Sequence, residues 1–153
     1  MTVTSRNMTS NYTRTLSFTR EWNLLTEREP SGKSAEYSPP MHYLDFPLEK
    51  GKTWHKEIHK RRPDSSDERV YNLAAEVHDW ESVEVPAGVF EAVKVVLQIE
   101  IRENGVLLSQ STDTSWYSPL AKRSVKTEER SRDMKTGQEG RRTVVLSEYS
   151  VSR

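Results

Sequence analysis

From Tyr12 onward, apolar and polar residues alternate along most of the chain. Tyr12, Leu16, Phe18, Trp22 and Leu24 share one parity, and Thr13, Thr15, Ser17 and Thr19 share the other. Threonine-rich alternation with aromatics is a strand signal, and the run is long enough to bend or break near Glu21. Pro30-Ser31-Gly32-Lys33 is turn chemistry. A short strand over 34–38 follows, with Pro39-Pro40 expected to end it because proline cannot donate to a ladder. Residues 39–52 read as a loop anchored by Leu44, Phe46 and Leu48. Residues 52–62 alternate again, with Trp54 and Ile58 on one side and His55, Glu57 and His59 on the other. Tyr71, Leu73, Ala75 and Val77 then alternate, and Trp80, Val83 and Val85 continue beyond a bulge near Asp79.

The clearest strand covers 91–103, with Val93, Val95, Leu97, Ile99 and Ile101 on one face. Asn104-Gly105 follows. This pair tolerates positive φ at both positions and signals a two-residue hairpin. Its return strand is 106–117, ended by Pro119. A polar strand over 124–132, a turn at 136–140 and a last strand over 141–151 complete the pattern. About eight evenly spaced strands, with no helical periodicity, predict an all-β fold. The expected architecture is a single curved antiparallel meander sheet, a half-barrel or open barrel. Residues 1–11 are polar and aperiodic and read as a flexible N-terminal arm. Residues 12–153 form a single all-β domain.

Composition narrows the function. Among 153 residues, 23 Lys and Arg balance 23 Asp and Glu. A nucleic-acid binder ordinarily shows a basic surplus, so nucleic acid is not an expected partner. There is no cysteine, which removes disulfides, thiolate metal sites and cysteine nucleophiles. No apolar run is long enough for a transmembrane helix, and the N-terminus shows no apolar core of a signal peptide. Charge is uneven: residues 76–103 hold seven acids and two bases, and residues 119–142 hold eight bases and four acids. Ion pairs between these segments are expected to help fix register if their strands are close.

Candidate chemistry is sparse. His55, Glu57 and His59 would face one way on a strand, about 7 Å apart, and are acceptable metal ligands. Lys56 and Lys60-Arg61-Arg62 make the region cationic, so a solvated strand face is the better reading and no cofactor is expected. Gly32-Lys33-Ser34 lacks the upstream glycine of a phosphate loop, since Glu27 stands there. No serine sits in a Gly-x-Ser-x-Gly context, and Glu128-Glu129 point to opposite strand faces, so no catalytic residue is assigned. The basic stripe Lys122, Arg123, Lys126, Arg130 and Arg132 reads as solvated edge protection or, alternatively, a surface for anionic partners. The aromatics Trp22, Trp54, Trp80 and Trp116-Tyr117 recur once per strand region and fill the sheet or line an apolar pocket.

One segment is familiar. Val85-Pro86-Ala87-Gly88-Val89-Phe90-Glu91-Ala92-Val93-Lys94 resembles the Val-Pro-Ala-Gly-x-Phe segment of a group of uncharacterised bacterial cell-envelope proteins. Arg20-Glu21-Trp22-Asn23-Leu24, Phe46-Pro47-Leu48-x-x-Gly51-Lys52-Thr53-Trp54 and Ser115-Trp116-Tyr117-Ser118-Pro119 fit in the same order. That group is similar to the lipoprotein-carrier (Lol-type) class. The resemblance implies a half-barrel and a periplasmic or envelope location, although the lack of an export signal leaves the cytoplasm open. It marks a scaffold with no established activity. The expectation is therefore a non-enzymatic domain binding a lipid-like or hydrophobic ligand on a concave face formed by Trp22, Trp54, Val95, Leu97, Ile99 and Trp116. The alternative is a protein-interaction module working through an exposed sheet edge or a homodimer interface. A metal-dependent enzyme built on His55, Glu57 and His59 ranks third.

Overall fold

A computed structural model describes residues 2–7 and 12–149. Their strands, in chain order, are β1 (Thr2–Asn7), β2 (Tyr12–Phe18), β3 (Leu24–Arg28), β4 (Ser34–Met41), β5 (Thr53–Arg61), β6 (Arg69–Val85), β7 (Gly88–Glu103), β8 (Val106–Ser118), β9 (Arg123–Asp133) and β10 (Glu139–Val145). Each pairs antiparallel with the next in one sheet, with no helix among the described residues. The sheet curls into a half-barrel. The expected all-β meander is therefore the observed fold, its ten strands among the described residues close to the eight or so expected.

Two differences lie near the N-terminus. Residues 2–7, expected within an arm, pair with β2 as β1; residues 1 and 8–11 of that arm lie outside the described residues. β4 continues through Pro39 and Pro40 to Met41. Its ladder with β5 covers only Glu36 to Ser38, and Met41 pairs back to Leu24 of β3. The prolines thus occupy a stretch where neither ladder asks them for an N–H. At the other end, the strand expected over 141–151 stops at Val145, and residues 150–153 lie outside the described residues.

The β7–β8 hairpin follows the Asn-Gly signal. Asn104 (φ 48°) and Gly105 (φ 82°) are both left-handed, as a type I′ turn requires. A Cβ on Gly105 would meet nothing within 4 Å. Gly105→Ala is therefore expected to cost only the backbone penalty, about 1–2 kcal/mol, measured by urea denaturation.

The two faces of the sheet carry separate cores. The inner face buries Tyr37, Trp54, Ile58, Leu73, Val77, Val95 and Leu97, among others. Residues 42–52 lie across it, and Leu44 is only 2% exposed. A bulge between Val77 and Trp80 puts one extra residue into β6. This reverses side-chain parity, so Val83 and Val85 face outward. There they join Phe90, Ala92, Trp116 and Val125 in a second core, packed against Leu146 and Tyr149. The C-terminal segment is pinned over that core: Ala87 N–H donates to Leu146 O, Leu146 N–H donates to Val125 O, and the Tyr149 hydroxyl donates to Leu120 O at 2.5 Å.

The expected ion pairs between residues 76–103 and 119–142 do not form among the described residues, because β8 separates β7 from β9. The pairs instead run locally, as in Lys94–Glu81, Lys126–Glu128 and Arg142–Glu129.

Candidate functional site

The curl of the sheet brings the turn after β2 against the turn after β8. Thr19 organises the first turn: its hydroxyl accepts from the N–H groups of Glu21 and Asn23, both at 3.2 Å. This turn places Trp22 at φ 64°, and the second places Lys122 at φ 54°. Left-handed backbone is uncommon for any non-glycine residue and an outlier for a bulky one. The two strained residues meet directly, since the Trp22 indole N–H donates to Lys122 O at 2.7 Å. The Arg123 guanidinium lies 4.9 Å from the centre of the Trp22 ring, a cation–π geometry. Strain of this kind persists only where the surroundings hold it and concentrates at functional sites.

An open hollow of about 710 Å³ sits at this mouth, lined by Arg20, Trp22, Phe46, Tyr117 and Lys122. Phe46 and Tyr117 stack edge to face, with centroids 5.1 Å apart. The register places Trp80 beside Val93, and Val93 beside Tyr117, in one row of the inner face. Trp80 is 54% exposed and Phe46 is 40% exposed, so the mouth presents aromatic surface to water. Two cations, Arg20 and Lys122, complete its lining.

The mouth rests on a firm support. The buried Asn23 side chain donates to Leu44 O and accepts from Leu44 N–H, both at 3.0 Å. Nearby, the Trp54 indole donates to His42 O at 2.9 Å, and Lys52 donates to Asp45 O at 2.7 Å. His42 and Lys52 also hold the Asp45 carboxyl below its ordinary range, His42 contributing most. Asn23→Ala strips a peptide group of two buried hydrogen bonds. The expected loss is about 1–3 kcal/mol, with residues 42–52 gaining hydrogen exchange first.

No family model, no curated protein and no solved structure matches the chain. The site is therefore read from its own geometry.

The residues expected to line a concave ligand face are dispersed. Val95, Leu97 and Ile99 lie on the inner face but are at most 4% exposed, and Trp54 is 9% exposed. Strand neighbours and residues 42–52 fill that face, so these four are core. Trp116 is on the other side of the sheet, as its pairing with Lys94 requires. Its indole donates to Glu81 at 2.7 Å, and Lys126 sits 4.8 Å from its ring centre. Of the six, Trp22 alone lines the open mouth. Its partners there, Arg20, Phe46, Tyr117 and Lys122, carry no binding signal in the sequence beyond the basic stripe that holds Lys122 and the Trp116-Tyr117 aromatic pair.

His55, Glu57 and His59 face outward from β5 and are exposed. His59 is engaged on both ring nitrogens, by Glu68 at 2.9 Å and Glu57 at 3.1 Å. Among the described residues no group of His, Asp and Glu side chains is arranged to hold a metal ion.

The inner face turns polar on β8 to β10. Asp113 pairs with Leu97 on one side and Glu129 on the other. Burial, then the neighbouring Glu129 carboxylate, pushes its carboxyl up to about 6. Its Oδ1 is buried without a hydrogen-bond partner. Farther along the inner face, Lys60 bonds to Glu27, which also accepts from Arg14 at 3.3 Å.

Proposed function

We propose that the protein is a non-enzymatic binding domain whose half-barrel mouth takes an amphipathic, lipid-like anion. The apolar part of the ligand would lie on Trp22, Phe46 and Tyr117, and its acidic group would meet Arg20 or Lys122. The observation that carries this reading is an exposed aromatic hollow lined also by two cations and built on two strained residues bonded to each other. Apolar lining with a few placed charges is the usual form of a small-molecule site. The reading keeps the lipid-like ligand but moves it from the filled inner face to the mouth. The cell envelope is the setting that the sequence resemblance implies.

Isothermal titration with dodecanoate tests this, with dodecyl maltoside as the uncharged control. Saturable binding of dodecanoate is expected. Arg20→Gln/Lys122→Gln should weaken it by about tenfold or more, on the scale of one lost charge-assisted contact. Equal response to both amphiphiles would remove the anionic part of the proposal.

A second reading has one observation in its favour. β10 is exposed along its whole length and, among the described residues, is hydrogen-bonded in the sheet only to β9. Such an edge is a template for an added strand. Light scattering tests the homodimer form: a dimer that Val144→Lys returns to monomer would support it.

A further inference from the structure

The basic stripe of the sequence divides in the structure. Lys122 and Arg123 belong to the mouth, and Lys126 covers Trp116. Arg130 and Arg132 do neither. They project from the outer face of β9, where Arg141 of β10 joins them.

Arg130 and Arg141 are direct cross-strand partners. Side chains opposite each other on one sheet face have Cβ atoms about 4.5–5.5 Å apart, and like charges there are destabilising. Arg132 follows two residues along the same face. None of the three takes part in an ion pair among the described residues; the nearby Glu128 is engaged by Lys126 at 2.7 Å and Glu129 by Arg142 at 2.8 Å. Glu139 is the register partner of Arg132 but makes no ion pair with it. Glu100, in the same groove, is occupied by Gln110 at 3.1 Å and Arg102 at 3.5 Å.

The three arginines line a shallow groove of about 540 Å³ with Gln98, Gln110 and Thr112. Thr112 donates to Gln98 at 2.8 Å, so the neutral side chains form an ordered floor. The arrangement has guanidinium donors free of ion pairs among the described residues at one end, with the Glu139 carboxylate at the same groove, and hydrogen-bonding amides and hydroxyls beside them.

We propose that this groove binds a phosphoryl group through Arg130, Arg132 and Arg141. A guanidinium presents a planar fork matched to phosphate or carboxylate oxygens. A carboxylate has two oxygens to share among three forks. A terminal phosphoryl group has three and carries up to two charges, so it can bridge the opposed pair and reach the third arginine. Binding would relieve the repulsion between Arg130 and Arg141. The site is separate from the mouth hollow and shares no lining residue with it.

Pyrophosphate is the first probe, titrated calorimetrically at constant ionic strength against sulfate-free buffer. Cosedimentation with phosphatidylglycerol vesicles, against phosphatidylcholine vesicles, is the second. The same chemistry serves a soluble phosphate compound or a lipid headgroup, and the two arms separate them. The expected result is saturable binding in at least one arm, weakened at least tenfold by Arg141→Gln and by Arg130→Gln. Both positions are exposed, so both variants should fold. Without any anion, Arg141→Gln should also unfold at a higher temperature than the parent, because one of two opposed charges is gone. No binding in either arm, or binding unchanged in both variants, overturns the proposal.

Discussion

Replacing Lys60 with methionine is expected to lower stability by about 3–5 kcal/mol, the cost of removing one partner from a buried ion pair. The Lys60 side chain is 8% exposed and that of Glu27 is 18% exposed. Lys60 also sits 5.2 Å from the centre of the Tyr37 ring. Burial pushes the Glu27 carboxyl up, but the Lys60 ammonium and then Arg14 outweigh it and hold Glu27 below its ordinary value. Burial pushes Lys60 down against the pull of Glu27. In Lys60→Met, Glu27 keeps Arg14, at 3.3 Å and on a half-exposed side chain, and the Tyr37 hydroxyl. The double variant Glu27→Leu/Lys60→Met should recover most of the loss, since apolar replacement of a whole buried pair is often neutral. Urea denaturation of the three proteins measures both effects. The pair also has a pH signature. Its folded Glu27 value is depressed, so its stabilisation is present above the ordinary glutamate range and is lost as pH falls through the folded value. A loss below about 1 kcal/mol in Lys60→Met, the scale of a surface pair, would mean that the inner face is wetter than described.

Asp113→Asn should do the reverse and stabilise the protein at neutral pH. The Asp113 carboxyl is raised from 3.8 to about 6 by burial first and Glu129 second, and Oδ1 has no partner. The folded chain therefore holds this proton to a higher pH than the unfolded chain does. Stability linked to this site is full below about pH 4 and declines as pH rises through about 6. A shift of about two pH units corresponds to about 3 kcal/mol at most, and solvent at the rim of the sheet reduces it. The expected gain for Asp113→Asn is about 1–3 kcal/mol above pH 7, shrinking toward zero below pH 4. Thermal unfolding at a series of pH values reads the difference. A variant less stable than the parent at pH 7 would show that the ionised carboxylate is bound by something in solution.

Much of the fold was legible because strands half-buried in a curved sheet write their period into the sequence. Val93 to Ile101, the Asn104-Gly105 turn and the bulge near Asp79 all act through local chemistry, and all appear where the pattern puts them. β1 was missed because Thr2–Asn7 has no apolar alternation; its pairing with β2 supplies the order that its own residues do not announce. The face of Trp116 was misassigned for a related reason. Adjacent aromatics at 116 and 117 must point to opposite sides, and only the register with Lys94 and Val93 decides which goes inward.

The candidate site was less legible than the fold. Trp22 and Lys122 are brought together by the curl of the whole sheet, and no local spacing encodes a contact across 100 residues. The polar inner face of β8 and β9, including Asp113 and Glu129, was hidden because hydrophilic residues on both sides of a strand leave no period to read. Conversely, the apolar run Val95, Leu97 and Ile99 looked like a pocket lining because sequence gives the face but not what covers it. Residues 42–52 cover it here.

The four tryptophans make one measurement decisive. Each indole N–H has its own place: Trp22 at the mouth, Trp54 in the inner core, Trp116 in the outer core and Trp80 exposed beside the mouth. Two-dimensional ¹⁵N–¹H spectra recorded while dodecanoate is added follow all four at once. Saturable shifts of Trp22, accompanied by Trp80, with Trp54 and Trp116 unmoved, are the result predicted by binding at the mouth. Saturable shifts of Trp54 or Trp116 with Trp22 unmoved, or no saturable shift of any indole, would contradict it.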